Sequence, residues 1–511
     1  MSWSAEFKAT LAGGRLEPRY LLEWVQVPHG ATRVFGGNVR LSSFPVQGYE
    51  NIINTDGSSF SGGTLSLRDW SCQPLSFSIG ILGDGERDIR VVAQRGQVVV
   101  LKVGFSNDPA TFEPVALGTI YGLSRQGSGW VLRCKGLEGS FGSRITIEAG
   151  EQSIGHDLAS TTVNDTGGVG SGEADITLTD ASNFRTDGQG VGVVQFTADN
   201  GSTYLSTYTG VTSNTLNGCT HGVMGTTWSA TADGNAVAEV MYTSAHPVDI
   251  LARIITSTGL GSNGPHDILP ASWGLGIPYE HLNDRDINTF KNLTQPTSGS
   301  AAQHWVQAAE IENPQSAMAS WANTMGYFLT QHQGQITARG ALLPWDNHSP
   351  NHYSLTDGMI ERIGGYDAWD PDSPIEYSRC RILYSDGNTQ GTSAASDLDH
   401  IPARDIKAHT SATWSTSTNA LAINTELLTR LKQWDQRTAE VITLTLHGWW
   451  PGLASPGSTL DVDLTVLTSR TGHTFRGQGG LLTRCAVNWF GSTTDVEIAV
   501  LPADEVVPWR T

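Results

Sequence analysis

Val194-Gln195-Phe196-Thr197-Ala198-Asp199-Asn200-Gly201-Ser202-Thr203-Tyr204-Leu205 reads as a β-hairpin. Runs of β-branched and aromatic residues flank Asp199-Asn200-Gly201, and Asn and Gly supply the positive φ that such a turn needs. The same signal recurs along the chain. Ile89–Ala93, Val98–Val103, Gly129–Cys134, Val191–Phe196 and Val496–Val500 are short runs of this kind between Gly, Asn, Asp and Ser turns. Gly83-Asp84-Gly85 divides Phe77–Leu82 from Asp88–Ala93 in the same way. The 58 glycines and 21 prolines among 511 residues fit a chain with many turns.

Helical spacing is rarer. Pro247–Ser257 sets Ile250, Leu251, Ile254 and Ile255 on one face. Pro314–Phe328 repeats the pattern with Met318, Trp321, Met325 and Phe328. Asn424–Asp435 aligns Leu427, Leu428, Leu431 and Trp434, with Arg430 and Lys432 near the C-terminal end, where cations suit the helix dipole. His304–Ile311 is a fourth candidate. The expected fold class is mainly β with an α+β middle.

Charge and cysteine usage exclude several functions. The net charge is −19, which disfavours nucleic-acid binding, since that affinity comes mostly from Lys and Arg on phosphates. No basic run marks a lipid surface, and no apolar stretch approaches the ~20 residues of a membrane helix. Met1-Ser2-Trp3-Ser4-Ala5-Glu6 has neither the basic nor the apolar region of a secretion signal, so folding in a cytoplasm is expected. Cys72, Cys134, Cys219, Cys380 and Cys485 are odd in number and far apart. They suit neither a disulfide framework nor a zinc site, and read as small buried hydrophobes.

Composition also suggests boundaries. Residues 1–150 form a strand-rich block, and Thr161–Ser171 reads as a linker. Residues 172–243 form a small β-module in which Arg185 is the only basic residue. Residues 244–345 mix α and β, and 346–511 return to strands around the helix at 424–435. Gly63–Ile79 and Gly480–Leu501 echo one another, each with one Cys and one Trp, although any two β segments share such features.

Three stretches, taken in order, carry a resemblance. Tyr242–Ser257 is a strand end running into a helix. Met318–Arg339 reads as a helix, a Gly, an aromatic strand, a short polar turn and a second strand. Gly457–Leu501 holds Leu460–Leu467, then Gly477–Arg484, then Thr494–Leu501. Together they resemble the tail-tip or baseplate hub proteins of tailed bacteriophages. Arg19–Trp24 is similar to the opening strand of such proteins, and Ala116–Leu123 to a later strand. The module resembles a small β-module inserted in phage structural proteins, through Asp175–Ala181, Tyr208–Gly222, Gly225-Thr226-Thr227 and Asp233–Val237.

The resemblance implies two tail-tube-like β-barrel domains, 1–150 and 346–511, flanking a mixed α/β domain at 244–345, with the module at 172–243 inserted. It implies a non-enzymatic virion protein at the tail tip, made in the host bacterial cytoplasm. A homotrimer would place six tube-like units against a six-fold tail tube and distal tail proteins, and offer three-fold symmetry to a central spike or fibre. An acidic bore would repel DNA phosphate as it passes. The other readings are a hexameric distal-tail ring with a glycan-binding insertion, and a carbohydrate-binding adhesin or hydrolase serving host attachment.

Candidate sites are sparse. Tyr204, Tyr208 and Trp228 could face a host-surface glycan, with structural packing as the alternative. Trp449-Trp450 follows the apolar run Val441–Leu446 and reads as core or subunit contact more readily than as a sugar platform. His348 and His352, beside Asp346, have a spacing that could hold a metal on a helix, but Pro344, Asn347, Pro350 and Asn351 mark a loop. Asp367, Asp370 and Asp372 are too few for calcium and lack its turn glycine. Carboxylate pairs for glycoside hydrolysis cannot be recognised from spacing among 50 acidic residues. No nucleophile elbow or phosphate-binding glycine loop is present, and no cofactor is expected.

Overall fold

The computed structural model describes residues 3–13, 17–67, 71–139, 159–245 and 439–501, apart from short breaks. In the middle of the chain it describes 252, 255–256, 277–288, 303–307, 327–340, 353–367, 379–383, 390–391 and 406–410. The protein is mainly β, with several antiparallel sheets and few helices.

The first large sheet is built from the N-terminal block. Its strands run in the order Glu50–Asn51, Arg40–Ser42, Arg19–Trp24, Val98–Gly104, Glu113–Gln126, Gly129–Gly136, Ser76–Ile81 and Ile53–Ser61. Val98–Gly104 lies centrally and is buried except at Lys102, which explains its nearly continuous apolar run. Lys102 Nζ is 2.8 Å from Glu23 Oε2 on the adjacent strand, so the one cation in that run has a partner.

The second large sheet comes from the C-terminal block. Thr459–Thr468, Thr474–Asn488, Thr493–Val500 and Glu440–His447 form its antiparallel centre. Ile360–Asp367 lies at one edge, and Tyr353–Thr356 pairs in parallel at the other. Two short strands of the N-terminal block, Thr64–Ser66 and Ser71–Gln73, also join this sheet, with Thr64 opposite Arg484. The two echoed segments of sequence therefore touch.

One core serves both sheets. Leu22, Leu101, Val103, Ile120 and Leu132 from the first meet Ile442, Leu444, Val462, Leu482 and Ile498 from the second. A helix at Ala5–Gly13 packs into the same core. Trp3, Phe7 and Leu11, spaced four apart, all face it, and the Trp3 ring lies 5.8 Å edge-on from that of Trp489. The Tyr20 hydroxyl donates to the carbonyl of Trp489 and adds a polar tie.

The small module has its own core, including Val163, Leu178, Phe196, Tyr204, Tyr208 and Val237. Five strands, Ser160–Thr162, Ala236–Glu239, Gly192–Thr197, Thr203–Tyr208 and Thr220–His221, form one sheet. Ile176–Thr177, Thr215–Asn217 and Gly210–Thr212 form a second. The hairpin at 194–205 is present in register, Phe196 opposite Tyr204. Gly201 N–H donates to Ala198 O and φ is +78° at Gly201 alone, so the turn is a three-residue loop rather than one with Asn200 also at positive φ.

Several local expectations need correction. Thr161–Ser171 is not a linker: Thr161 lies opposite Val237 in the sheet, and Val163 and Val169 are buried in the module core. Ile89–Ala93 is not a strand. Ile89–Val92 forms a helical turn because the Asp88 carboxylate accepts from Arg90 N at 2.9 Å and caps it. His304–Ile311 does not begin as a helix, since Gln303–Gln307 is a strand paired with Met241–Ala245. Phe328 belongs to the strand Tyr327–His332 rather than to a helix end.

Ala252, Ile255 and Thr256 are helical as expected, with Ala252 and Ile255 buried. Of the helix expected at 314–328, residues 314–326 lie outside the described residues, as does the helix expected at 424–435.

Candidate functional site

The expected glycan face does not form. Tyr204 and Tyr208 are 1% and 0% exposed, inside the module core. Tyr204 stacks on Phe196 at 5.4 Å, and its hydroxyl lies 3.0 Å from Thr231 Oγ1. Tyr208 fills the space beside Gly192, where a Cβ would lie 2.1 Å from its ring. These rings are therefore core residues, and Trp228 is half-buried against the same core. Trp449 is also internal: it is 5% exposed and its Nε1 donates to Asn488 O at 2.9 Å. Burial within its own chain removes it as a subunit contact. Trp450 is half-buried, and its Nε1 donates to His447 O at 2.8 Å. His348, His352, Asp370 and Asp372 lie outside the described residues, and Asp367 ends the exposed edge strand Ile360–Asp367. Among the described residues, no three His, Cys, Asp or Glu side chains gather as a metal site.

The polar groups that do converge surround a hairpin in the middle of the chain. Tyr327–His332 and Gln335–Gly340 pair around Gln333-Gly334, whose φ values of +54° and +69° define a two-residue turn. Every residue from 328 to 339 is buried. Seven of them are polar: Thr330, Gln331, His332, Gln333, Gln335, Thr337 and Arg339. Burying so many polar groups is tolerable only if each finds a partner.

Partners come from three directions. On the first sheet, Gln331 acts as a substitute strand: its Oε1 accepts from Leu117 N at 2.8 Å and its Nε2 donates to Leu117 O. Nε2 also donates to the Glu138 carboxylate, and Glu138 Oε1 accepts from Leu75 N at 3.2 Å. Trp3 N donates to Gln333 Oε1 at 3.2 Å, and the Trp3 indole donates to Pro114 O at 2.7 Å.

Toward the second sheet, His332 Nδ1 lies 2.8 Å from Ser455 Oγ. Arg339 donates to Pro456 O at 3.1 Å and to Ser458 Oγ at 2.8 Å. Within the middle region, a helical turn at 284–288 supplies Asp286, whose Oδ2 is 2.9 Å from Arg339 Nε and 3.3 Å from Thr337 Oγ1.

The electrostatics follow from burial and these contacts. Burial raises Glu138 to about 7, against the opposing pull of Gln331, nearby backbone N–H groups and Lys135. Burial lowers His332 to about 3, helped by the Arg339 charge. Burial pushes Asp286 up, but Arg339 and His332 outweigh it and hold the carboxyl below its usual range. Cys72, which faces Thr330, is pushed up to about 12 by burial and is a poor nucleophile.

Chemically, this arrangement fastens rather than transforms. The cavity beside it, lined by Gly62, Gly63, Gln331, Gly334, Cys485 and Trp489 among others, has room for about one water. The sequence marked Gln331–Gly334 only as a polar turn. The signal for Trp3, Phe7 and Leu11 was their four-residue spacing, which the composition reading passed over.

No protein-family profile and no curated protein matches the chain. Distant likenesses of shape exist among solved structures. The tail protein from Neisseria meningitidis MC58 is 11% identical, with 94% of this chain and 96% of that one covered at a TM-score of 0.38. The prophage MuSo2 43 kDa tail protein from Shewanella oneidensis is 9% identical, with 94% and 98% covered at 0.37. Prophage tail protein gp18 from Listeria monocytogenes EGD-e is 7% identical, with 94% of each chain covered at 0.34.

Proposed function

We propose that this chain is a structural protein of a phage-type tail, acting as the hub at its distal end. In this reading three copies close a ring. Each copy contributes two tube-like units, one from each end of its chain, to meet a six-fold tube on one side and a three-fold spike or fibre on the other. The work is mechanical and needs no cofactor. The observation that carries the reading is the shared core: two large sheets from opposite ends of the chain, joined through one apolar interior and fastened by a buried hairpin. A part that transmits load between neighbours needs such a rigid relation between its units, because a close-packed interior transmits strain rather than absorbing it.

Light scattering of the purified chain across concentration tests this. A particle of three times 54.7 kDa is the expected result. A hexamer moves the reading to a distal-tail ring. A monomer at every concentration overturns both.

A further inference from the structure

The two large sheets repeat one another. In space the first runs Arg19–Trp24, Val98–Gly104, Glu113–Gln126, Gly129–Gly136, Ser76–Ile81, Ile53–Ser61, with two short strands beyond Arg19–Trp24. The second runs Tyr353–Thr356, Thr459–Thr468, Thr474–Asn488, Thr493–Val500, Glu440–His447, Ile360–Asp367. Both orders are the same permutation of the order along the chain. Only the outer pair differs in direction: Arg19–Trp24 is antiparallel to its neighbour and Tyr353–Thr356 is parallel to its own. Finer detail agrees. Gly96 N–H donates to Ile120 O at 2.8 Å, and Ile120 N–H to Gln97 O at 2.9 Å. In the second sheet Gly457 N–H donates to Leu482 O at 2.7 Å, and Leu482 N–H to Ser458 O at 2.9 Å. Gly96 and Gly457 are both left-handed, with φ of +93° and +80°. The register then shifts in each sheet, between Ile120 and Gly122 and between Leu482 and Arg484. Gly122 therefore stands in the first sheet where Arg484 stands in the second.

These equivalent positions differ in one respect. Arg484 lies between Glu497 on one side and Thr64 on the other. Thr64 belongs to the short hairpin Thr64–Ser66, Ser71–Gln73, which the chain makes between Ile53–Ser61 and Ser76–Ile81. The residues that follow, Cys485, Ala486 and Val487, are buried. Gly122–Gln126 pairs with Gly129–Arg133 on one side, and no strand among the described residues lies on the other. Tyr121 is 50% exposed there, and Arg125 and Gln126 are exposed as well. An unpaired strand flank is a template for another strand. In the second half of the chain, the counterpart of the short hairpin lies between Ile360–Asp367 and Glu440–His447. It is a separate three-stranded sheet of Gln390–Gly391, Arg379–Leu383 and Ile406–Thr410. Among the described residues it joins neither large sheet of its own chain, and Ile406–Thr410 is one of its edges.

We infer that neighbouring copies of this chain join by repeating the joint that each chain makes within itself: the edge strand Ile406–Thr410 of one copy adds to Gly122–Gln126 of the next. The inference rests on the ring reading above and names the surfaces that close it. Inside one chain the first half lends a strand to the second half at Arg484. Between copies the second half of one lends a strand to the first half of the next at Gly122. Such a head-to-tail contact is heterologous, and it closes into a ring when its rotation permits. Backbone hydrogen bonds supply the affinity of strand addition. Tyr121, exposed beside the vacant flank, supplies the aromatic contact that interfaces favour.

Hydrogen exchange of the full-length protein, read by mass spectrometry at the concentrations used for light scattering, tests this. Peptides covering 122–126 and 406–410 are expected to slow together as the copies assemble. A peptide covering 484–487 should stay protected at every concentration, because its added strand comes from its own chain. Tyr121→Lys places a charge beside the vacant flank at a half-exposed position, so the single chain keeps its fold. It should raise the concentration needed for assembly about tenfold or more. An assembled ring in which 122–126 or 406–410 exchanges at the dilute rate overturns the joint and leaves the ring standing, as does Y121K assembling like the wild type. A hexamer with both stretches protected keeps the joint and overturns the trimer. A monomer at every concentration overturns both.

Discussion

Gly201 and Gly334 adopt nearly the same left-handed backbone, with φ of +78° and +69°, in quite different surroundings. A Cβ on Gly201 would meet nothing within 4 Å, whereas one on Gly334 would lie 2.6 Å from the carbonyl carbon of Pro114. Gly201→Ala is expected to cost only the left-handed penalty, about 1 kcal/mol. Gly334→Ala adds displacement of a buried strand and should cost on the order of 3 kcal/mol. Urea midpoints of the two variants check this, and equal losses would remove the claim that the hairpin tip is pressed against the first sheet. The glycines and their turns were readable in the sequence. The packing around them was not, because it comes from residues such as Pro114, far away along the chain. Tyr204 and Tyr208 teach the same lesson: four apart on a strand, they share a face, but only the second sheet of the module makes that face the inside.

At the scale of elements, the hairpin Tyr327–Gly340 departs most from its sequence. Within Met318–Arg339 the sequence disclosed an aromatic strand, a short polar turn and a second strand. The hairpin's run of Thr, Gln and His is buried because backbone and side-chain partners wait on both sides. The Arg339–Asp286 pair, with side chains 1% and 2% exposed, is the clearest test. Asp286→Ala leaves a buried guanidinium without its carboxylate and is expected to cost roughly 3–5 kcal/mol. The double change Asp286→Leu with Arg339→Met removes both charges and should recover much of that loss. Denaturant unfolding of Asp286→Leu, Arg339→Met and the double variant measures the coupling. Strictly additive losses would mean that the pair is not an energetic unit.

For the whole molecule, the module and the shared core are distinct bodies of apolar contact. The chain enters the module through Ser160–Thr162 and leaves through Ala236–Glu239, which are paired neighbours with Ser160 opposite Ala238. Residues 159–240 expressed alone are expected to melt cooperatively, and the chain lacking 160–238 should keep a transition of its own. Failure of both pieces to fold would show that the two cores depend on one another. The sequence by itself determined the β character, several strand positions in the two end blocks and the presence of a basic-poor module, because alternation and turn chemistry are local properties. Tertiary structure alone decided which aromatics are core, that strands near residues 64 and 73 cross into the C-terminal sheet, and that a polar hairpin lies buried between the two sheets. Those outcomes depend on partners tens to hundreds of residues away, and no local pattern records where such partners will be.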